Sequence, residues 1–409
     1  MWKDNKPELL APAGDMERLK MAIAYGADAV YLAGTAFGMR AFAGNFNEKT
    51  IYDAVRLAKT AGVRTHVTIN TMPHGEEMKE LPQWLEILQD AGVDAVIMAD
   101  LGAFRLAQKY APQVEKHIST QASIANPVTA QAWYELGAKR VILARELHLD
   151  EVAAIRANTS PELEIESFVH GAMCVSYSGR CLLSNYMTGR DASRGACAQP
   201  CRYQYALMEE KRPGEYFPVF EDEKGTYIMN SRDMCMIDHV KELMDIGLDS
   251  FKIEGRAKSA YYAAIVTGAY RHAIDAAYEG IPLSPVWRDE VEKVSHRHYS
   301  TGFWYGEPGQ FYEDSRYIRD WQVCAIIEDC DERGLATCSL RNKFSAGQTV
   351  EVAGPNMEPI SFDAPSVTDE NGIVMDTPKN PQMRFSMQLP RQVPPLSILR
   401  RAVDLTPGK

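Results

Sequence analysis

Four of the eight cysteines in this 409-residue chain lie close together near its middle. They are Cys174, Cys181, Cys197 and Cys201, separated by six, fifteen and three residues. Disulfides need an oxidising compartment, structural zinc usually takes two short Cys-x-x-Cys-like pairs, and an iron–sulfur cluster accepts irregular spacings. Only Cys197 and Cys201 approach such a pair. The spacing therefore favours an iron–sulfur cluster, with zinc and unrelated buried thiols as open alternatives.

The composition bounds where the chain works and what it can bind. Its first residues lack the apolar core of a signal peptide, and no run approaches the ~18 apolar residues of a membrane span. We therefore expect a cytoplasmic protein with reduced thiols and no membrane partner. The 45% hydrophobic content supports a large core in two or three domains. The net charge of −11 argues against a broad basic surface, so a nucleic-acid partner would require a local basic patch.

Several motifs around the cysteines resemble a known family. They are ESFVHGAMC at 166–174, GRCLLS at 179–184, RGACAQPCRY at 194–203, the stretch at 212–234, and SFKIEGRAKSAYY at 250–262. These motifs are similar to the collagenase-like peptidases of peptidase family U32, and most similar to its tRNA-hydroxylating branch. The resemblance spans nearly the whole chain.

The resemblance implies a function as well as a fold. It implies that the four cysteines hold a four-iron, four-sulfur (4Fe-4S) cluster. It further implies an enzyme that hydroxylates the wobble uridine of tRNA at carbon five, with prephenate as cosubstrate. A collagenase-like peptidase and a hydroxylase of another substrate are the alternatives. A third class is a non-enzymatic assembly or RNA-binding protein with a structural cluster.

An internal repeat organises the first 255 residues. A glycine follows each amphipathic helical stretch and leads into a short apolar strand, at Gly26, Gly92, Gly137 and Gly247, with a weaker copy at Gly62. Such a glycine fits just past a helix end, where the backbone needs positive φ. The resulting strands are 8–12, 29–33, 65–69, 95–99, 117–121, 141–145, 163–169 and 250–254.

Eight strands alternating with helices predict an α/β fold, a closed TIM-like (βα)₈ barrel. An open doubly wound sheet is the runner-up, but no Gly-x-Gly-x-x-Gly turn follows the first strand. We assign residues 1–300 to the barrel, with the cysteines on a long loop at 170–235. A linker at 301–320 leads to a small all-β barrel module at 321–409, where short alternating strands replace the helices.

Polar side chains are expected inside the upper barrel, because alternate residues of each strand face the lumen. The inward set is Glu164, Glu166, Phe168 and His170 on the seventh strand, Lys252 and Glu254 on the eighth, and His66, Thr68 and Asn70 on the third, with Arg256 just beyond the rim. A buried charge without a partner is costly, so these groups predict either a binding site or an internal ion-pair network. For the binding site, Glu166, His170, Glu254 and Arg256 are the catalytic candidates, and Lys252 and Asn70 the substrate-binding ones.

The cysteine loop also carries arginines and tyrosines. A small carboxylate such as prephenate suits a guanidinium fork, and the candidates are Arg180, Arg190, Arg194 and Arg202, together with Arg256. The same arginines could meet RNA phosphates, with Tyr177 as a stacking surface for an unpaired base. The alternative is that they pair with nearby carboxylates.

A peptidase would need a recognisable catalytic set. His-Glu-x-x-His, Gly-x-Ser-x-Gly and a Walker lysine loop are all absent from the sequence. A Cys–His pair built on Cys174 and His170 stays open. A nucleophile needs one activated thiol, however, and this loop supplies four.

Overall fold

The computed structural model describes residues 6–35, 37–38, 45–174, 176–178, 181–202, 206–208, 216–218, 231–309 and 317–403, with the backbone alone at 202, 206–208 and 216–218. The first twelve strands are β1 Glu8–Pro12, β2 Ala29–Ala33, β3 Arg64–Ile69, β4 Ala95–Met98, β5 Glu115–Ile118, β6 Arg140–Ile142, β7 Glu164–Ala172, β8 Ala206–Met208, β9 Tyr216–Pro218, β10 Asp233–Cys235, β11 Ser250–Ile253 and β12 Tyr299–Ser300. The helices are α1 Met16–Ala24, α2 Glu48–Thr60, α3 Glu77–Ala91, α4 Leu101–Tyr110, α5 Pro127–Glu135, α6 Leu149–Ala157, α7 Leu183–Thr188, α8 Val240–Asp245, α9 Ala260–Glu279 and α10 Pro285–Glu292. The remaining strands are β13 Trp321–Cys330, β14 Leu335–Leu340, β15 Thr349–Gly354, β16 Met357–Asp363, β17 Val367–Asp369, β18 Val374–Met375, β19 Arg384–Gln388 and β20 Ile398–Ala402.

Eight parallel strands close into a barrel. Strands β1 to β7 pair in chain order, and β11 pairs with both β1 and β7 to complete the ring. Leu10 lies opposite Lys252, which in turn lies opposite Phe168. The predicted (βα)₈ barrel is confirmed, and the observed strands begin within two residues of the predicted positions.

Local sequence sets the ends of the helices. Asparagine, aspartate or serine side chains cap α1, α2, α4, α5 and α9, each accepting a hydrogen bond from a backbone N–H of the first turn. A cap of this kind contributes ~1 kcal/mol. At the other end of the repeat the predicted glycines have positive φ, at Gly26, Gly62, Gly92, Gly137 and Gly247. The same helix-to-strand joint therefore recurs around the barrel.

The barrel has an apolar wall and a mixed lumen. The helices bury the outward side chains of the strands in the main hydrophobic core. Inside the lumen a smaller apolar cluster consists of Leu10, Ala29, Tyr31, Ile97, Ile142 and Phe168. Polar groups lie in the lumen as well, since Glu166, Lys252 and His66 are all buried.

The cysteine loop leaves the barrel from β7 and returns beside it. Strand β10 pairs antiparallel with the end of β7, with Met234 opposite Gly171, and β12 extends this pairing from β10. The loop between them carries α7 and two short 3₁₀ turns, Ala192–Arg194 and Pro200–Arg202. Both ends of the loop are therefore fixed at the same rim of the barrel.

The C-terminal region is all-β, as predicted. Its eight strands form one antiparallel sheet in the order β16-β15-β20-β13-β14-β19-β17-β18. Its own core buries the three thiols of Cys324, Cys330 and Cys338, which agrees with a packing role. Among the helices that the structure describes, none has the length and apolar character required to cross a membrane.

The C-terminal region packs against the barrel through a buried ion-pair cluster. The fully buried Arg400 donates to both carboxylate oxygens of Glu290 on α10, at 2.6 and 2.7 Å, and to Glu351 at 2.8 Å. The Tyr25 hydroxyl at the end of α1 donates to the carbonyl of Ala353 at 3.0 Å. The two regions therefore share an interface in which charged groups satisfy one another.

Candidate functional site at the barrel mouth

One cavity brings the cysteine loop and the barrel strands together. It lies at the carboxyl ends of the strands, the face where barrels of this type carry their active sites. The lining residues include Cys174, Cys181, Cys197, Cys201, Asn70, Thr68, Phe168, Lys252, Glu254, Arg256 and Arg145. Residues far apart in sequence thus converge at the predicted rim.

The four loop cysteines all line this cavity. Each is partly buried. The backbone N–H of Leu183 donates to Sγ of Cys181, and that of Gln199 donates to Sγ of Cys197, both at 3.4 Å. Hydrogen bonds to sulfur are one means by which proteins tune iron–sulfur clusters.

The four cysteines share one cavity, as a common cluster requires. Within the described residues, no three His, Cys, Asp or Glu side chains converge closely enough to hold one metal ion. A four-iron cluster binds its four thiolates at separate iron atoms, so it needs a wider arrangement than tetrahedral zinc does. Four cysteines around one cavity supply the number of thiolates that such a cluster needs.

Lys252 brings a positive charge to the cavity and is held from below. Its Nζ lies 2.8 Å from Oε1 of Glu166, and 4.7 Å from the centre of the Tyr31 ring. Burial raises the pKa of Glu166, but the cations of Lys252 and Arg140 outweigh burial and lower the pKa below its usual value. Glu166 is therefore a carboxylate between two cations, beneath the cavity.

Arg256 and Glu254 follow β11 at the rim. Arg256 is buried, and its Nη1 donates to Oγ1 of Thr68 at 2.7 Å. The carbonyl of Glu254 accepts a hydrogen bond from the Tyr262 hydroxyl at 3.0 Å, which holds the backbone of this turn. Both residues line the cavity, as does Asn70 directly after β3.

Arg145, just after β6, is a cavity residue that the sequence analysis missed. Its Nη1 donates to the carbonyl of Ala172 at 3.0 Å, and its Nη2 to Oγ of Ser178 at 2.8 Å. Its guanidinium lies 5.3 Å from the centre of the Phe168 ring. The only signal in the sequence was its place directly after a barrel strand, comparable to that of Arg256 after β11.

The prediction that His170 faces the lumen is wrong. The pairing of β7 with β11 shifts between Lys252 and Ile253, so β7 has one extra residue there and the alternation reverses. The His170 ring packs on the helix side against Tyr262, Tyr270 and Tyr299, with ring centres 5.2 to 5.9 Å apart. Burial lowers its pKa to about 3, so His170 is a neutral core residue.

The other loop residues lie away from the cavity or outside the described residues. Arg190 donates to the carbonyl of Ala196 at 3.0 Å, and the exposed Arg194 pairs with Glu77 at 2.5 Å. Tyr177 is 48% exposed and is not among the lining residues. Arg180 lies outside the described residues, as does the side chain of Arg202.

Charge and shape together describe what the cavity can hold. Among its described lining residues, Arg145, Lys252 and Arg256 are cationic, whereas Glu254 is the one carboxylate. Phe168 and neighbouring lumen residues supply an apolar floor. Such a site suits a small anionic ligand with an apolar body, adjacent to four thiols.

Known proteins share both the barrel and the C-terminal region. The sequence description of peptidase family U32 matches residues 14–314, and that of the peptidase family U32 C-terminal domain matches residues 319–400. The chain belongs to peptidase family U32.

Three relatives show what this family includes. The tRNA hydroxylation protein P1 of Bacillus subtilis is 37% identical over 403 residues, which is 97% of this chain and 95% of the relative. An uncharacterized protease of Methanocaldococcus jannaschii is 38% identical over 359 residues, 85% of this chain and 86% of the relative. The 23S rRNA 5-hydroxycytidine C2501 synthase of Escherichia coli is 39% identical over 272 residues, 66% of this chain and 40% of the relative.

Proposed function

We propose that this U32 protein is an RNA hydroxylase with a 4Fe-4S cluster on Cys174, Cys181, Cys197 and Cys201. Its substrate is the wobble uridine of tRNA, hydroxylated at carbon five, and prephenate is the cosubstrate. The observation that carries the proposal is the single cavity in which four thiols meet three cations. The relatives that hydroxylate tRNA and that make 5-hydroxycytidine in rRNA support the reaction class.

The cysteines would hold the cluster, and two arginines would hold the cosubstrate. When bound, the cluster supplies electron transfer or holds an oxygen-bearing group. Prephenate has two carboxylates, and a guanidinium fork suits a carboxylate. Arg145 and Arg256 line the cavity. They are better placed than Arg194, whose guanidinium is engaged by Glu77.

The remaining cavity residues would orient the ligand and handle protons. Phe168 offers an apolar surface for the ring of the cosubstrate, and Lys252 adds positive charge beneath it. Glu254 is the carboxylate among the described lining residues, so it is placed to accept a proton from a bound ligand. Glu166 does not line the cavity, so we assign it the positioning of Lys252.

The peptidase alternative loses its proposed catalytic pair. Cys174 lines the cavity, whereas the His170 ring packs among tyrosines on the helix side of β7. A nucleophilic thiol needs a base within hydrogen-bond reach. The fold does not bring these two side chains together for that role.

Nucleoside mass spectrometry of tRNA tests the proposal. A strain that lacks the gene should lose 5-hydroxyuridine, and the wild-type gene should restore it only when prephenate is supplied. Arg256→Ala should fail to restore it while keeping iron, because Arg256 lines the cavity but is not one of the four proposed cluster ligands. Arg194→Ala on the cysteine loop is the matched control and should restore it. An unchanged uridine profile in the deletion strain would contradict the proposal and direct attention to another substrate, such as a cytidine in rRNA.

A further inference from the structure

A second depression lies directly beside the cysteine cavity. Its walls include Lys258, Ser295, Tyr317 and Arg319, and it shares Glu254 with the cavity. Gln199, from the segment between Cys197 and Cys201, forms another part of its wall. We call this depression the Tyr317 notch. It opens at the same face of the barrel, and Glu254 forms the wall between the notch and the cysteine cavity.

Three cations surround one aromatic ring in the Tyr317 notch. Nζ of Lys258 lies 4.2 Å from the centre of the Tyr317 ring, and the guanidinium carbons of Arg297 and Arg319 each lie 5.7 Å from it. Each of these contacts is in the range of a cation–π interaction. The electron-rich face of the Tyr317 ring attracts these cations and so offsets part of the repulsion between them.

Among the described residues, two carboxylates pair with these cations or line the notch, namely Asp233 and Glu254. Asp233 is buried, pairs with Arg297 at 2.9 Å and lies 4.0 Å from Lys258. Glu254 forms the wall toward the cavity. Arg319 is exposed, donates to Oγ of Ser295 at 3.2 Å, and has no ion-pair partner among the described residues. The outer side of the Tyr317 notch therefore presents an exposed arginine, on a chain whose net charge is −11.

We infer that the Tyr317 notch binds a phosphate of the RNA backbone next to the nucleotide that is modified. This inference rests on the proposed function. A base that enters the cysteine cavity leaves its own sugar and phosphates at the mouth, where the neighbouring notch lies. Arginine and lysine are the side chains that neutralise RNA phosphates. An acidic protein needs such a local basic site, because its overall field repels RNA.

Binding measurements on the full-length protein, purified without oxygen, test this inference. The probe is an unmodified transcript of a tRNA that the wild-type protein hydroxylates. Arg319→Ala should weaken the binding roughly tenfold at low salt, because one charged phosphate contact is lost. The slope of the logarithm of affinity against the logarithm of salt concentration should fall by about 1. KM for tRNA should rise while kcat at saturating tRNA stays unchanged.

Two further variants separate charge from other effects. Arg319→Lys keeps the charge and should recover most of the affinity. Arg105→Ala removes an exposed arginine from α4, which packs beside β4 and β5 across the barrel from β11, and should bind tRNA as the wild type does. If Arg319→Ala binds with wild-type affinity and slope, or if Arg105→Ala loses as much, the notch inference is overturned.

The outcomes also distinguish this inference from the proposed function. If the wild-type protein hydroxylates tRNA but Arg319→Ala has an unchanged KM, only the notch inference fails. If the wild-type protein neither binds nor hydroxylates any RNA, both fail together.

Discussion

The ammonium of Lys252 and the carboxylate of Glu166 form an ion pair in the barrel lumen, 2.8 Å apart and with side-chain exposures of 4% and 0%. Arg140 contacts the other carboxylate oxygen at 2.9 Å. Glu166 thus sits between two cations with no access to solvent. Because Lys252 reaches the cavity and Glu166 does not, the pair fixes the position of a positive charge beneath the ligand.

Removing the charge of Glu166 should destabilise the protein strongly. Glu166→Gln leaves Lys252 and Arg140 buried with less negative charge, and breaking a buried pair costs about 3 to 5 kcal/mol. Urea denaturation should show this loss in the free energy of unfolding. Glu164→Gln is the matched control, since its side chain is 21% exposed, and it should cost less. Equal losses for the two variants would contradict the assigned role of Glu166.

Iron content should depend on the four loop cysteines and not on Cys235. We expect about four irons and matching acid-labile sulfide per chain after purification without oxygen. Cys181→Ser should lose most of the iron. Cys235→Ser should keep it, because the partly buried Cys235 lies on β10 near Tyr270 and desolvation raises the pKa of its thiol to about 11. Stoichiometric zinc without sulfide would rule out the cluster.

Arg400 should be essential for the contact between barrel and C-terminal region. Arg400→Met leaves the buried Glu290 of α10 without its guanidinium partner, at a cost of about 3 to 5 kcal/mol. Thermal unfolding monitored by circular dichroism should show the loss. Arg401→Met is the neighbouring control, because Arg401 is half-buried and donates to the neutral Gln322 at 3.0 Å. A smaller effect for Arg400→Met than for Arg401→Met would refute the argument.

Acid should destabilise the protein through His170. Burial lowers its pKa to about 3 in the folded state, whereas an unfolded histidine titrates near 6.5. Between these values the unfolded chain binds more protons, so the free energy of unfolding falls as pH falls below about 6.5. One such group contributes a slope of about 1.4 kcal/mol per pH unit.

The variant His170→Phe isolates that contribution. It should reduce the pH dependence of the free energy of unfolding between pH 6 and pH 4, measured by urea denaturation at each pH. Part of the slope should persist, because burial also lowers the pKa of His66 and of His117 well below the usual value. His74→Gln, at an exposed position, serves as the control. An unchanged slope for His170→Phe would contradict the neutral, buried state of this ring.

The barrel could be predicted from sequence because its signal is local and repeated. Each glycine marks a backbone position that needs positive φ, and Gly92 shows this directly at the end of α3 with φ of 75°. A short strand follows the glycine in every copy. Alternation then placed Lys252 and Glu166 inside the lumen, where the structure has them.

The wrong predictions concern residues whose positions depend on long-range contacts, which no local sequence pattern reveals. The extra residue in β7 reverses the direction of His170, and only the pairing with β11 reveals it. Arg145 could not be predicted because its place in the cavity depends on contacts with Phe168 and Ser178, which form only in the folded chain. Arg194 had the right charge and the right loop, but Glu77 on a distant helix engages it.

The return of β10 onto β7 also bears on how this family could diversify. The chain departs at Ala172 and re-enters at Asp233, and these two residues are paired neighbours. A loop whose two ends are paired neighbours can change in length with little effect on stability, since doubling its length adds only about 0.6 kcal/mol to the free energy of loop closure. Evolution could therefore exchange the cysteine-bearing stretch, and with it the chemistry, while the eight-stranded ring kept its register.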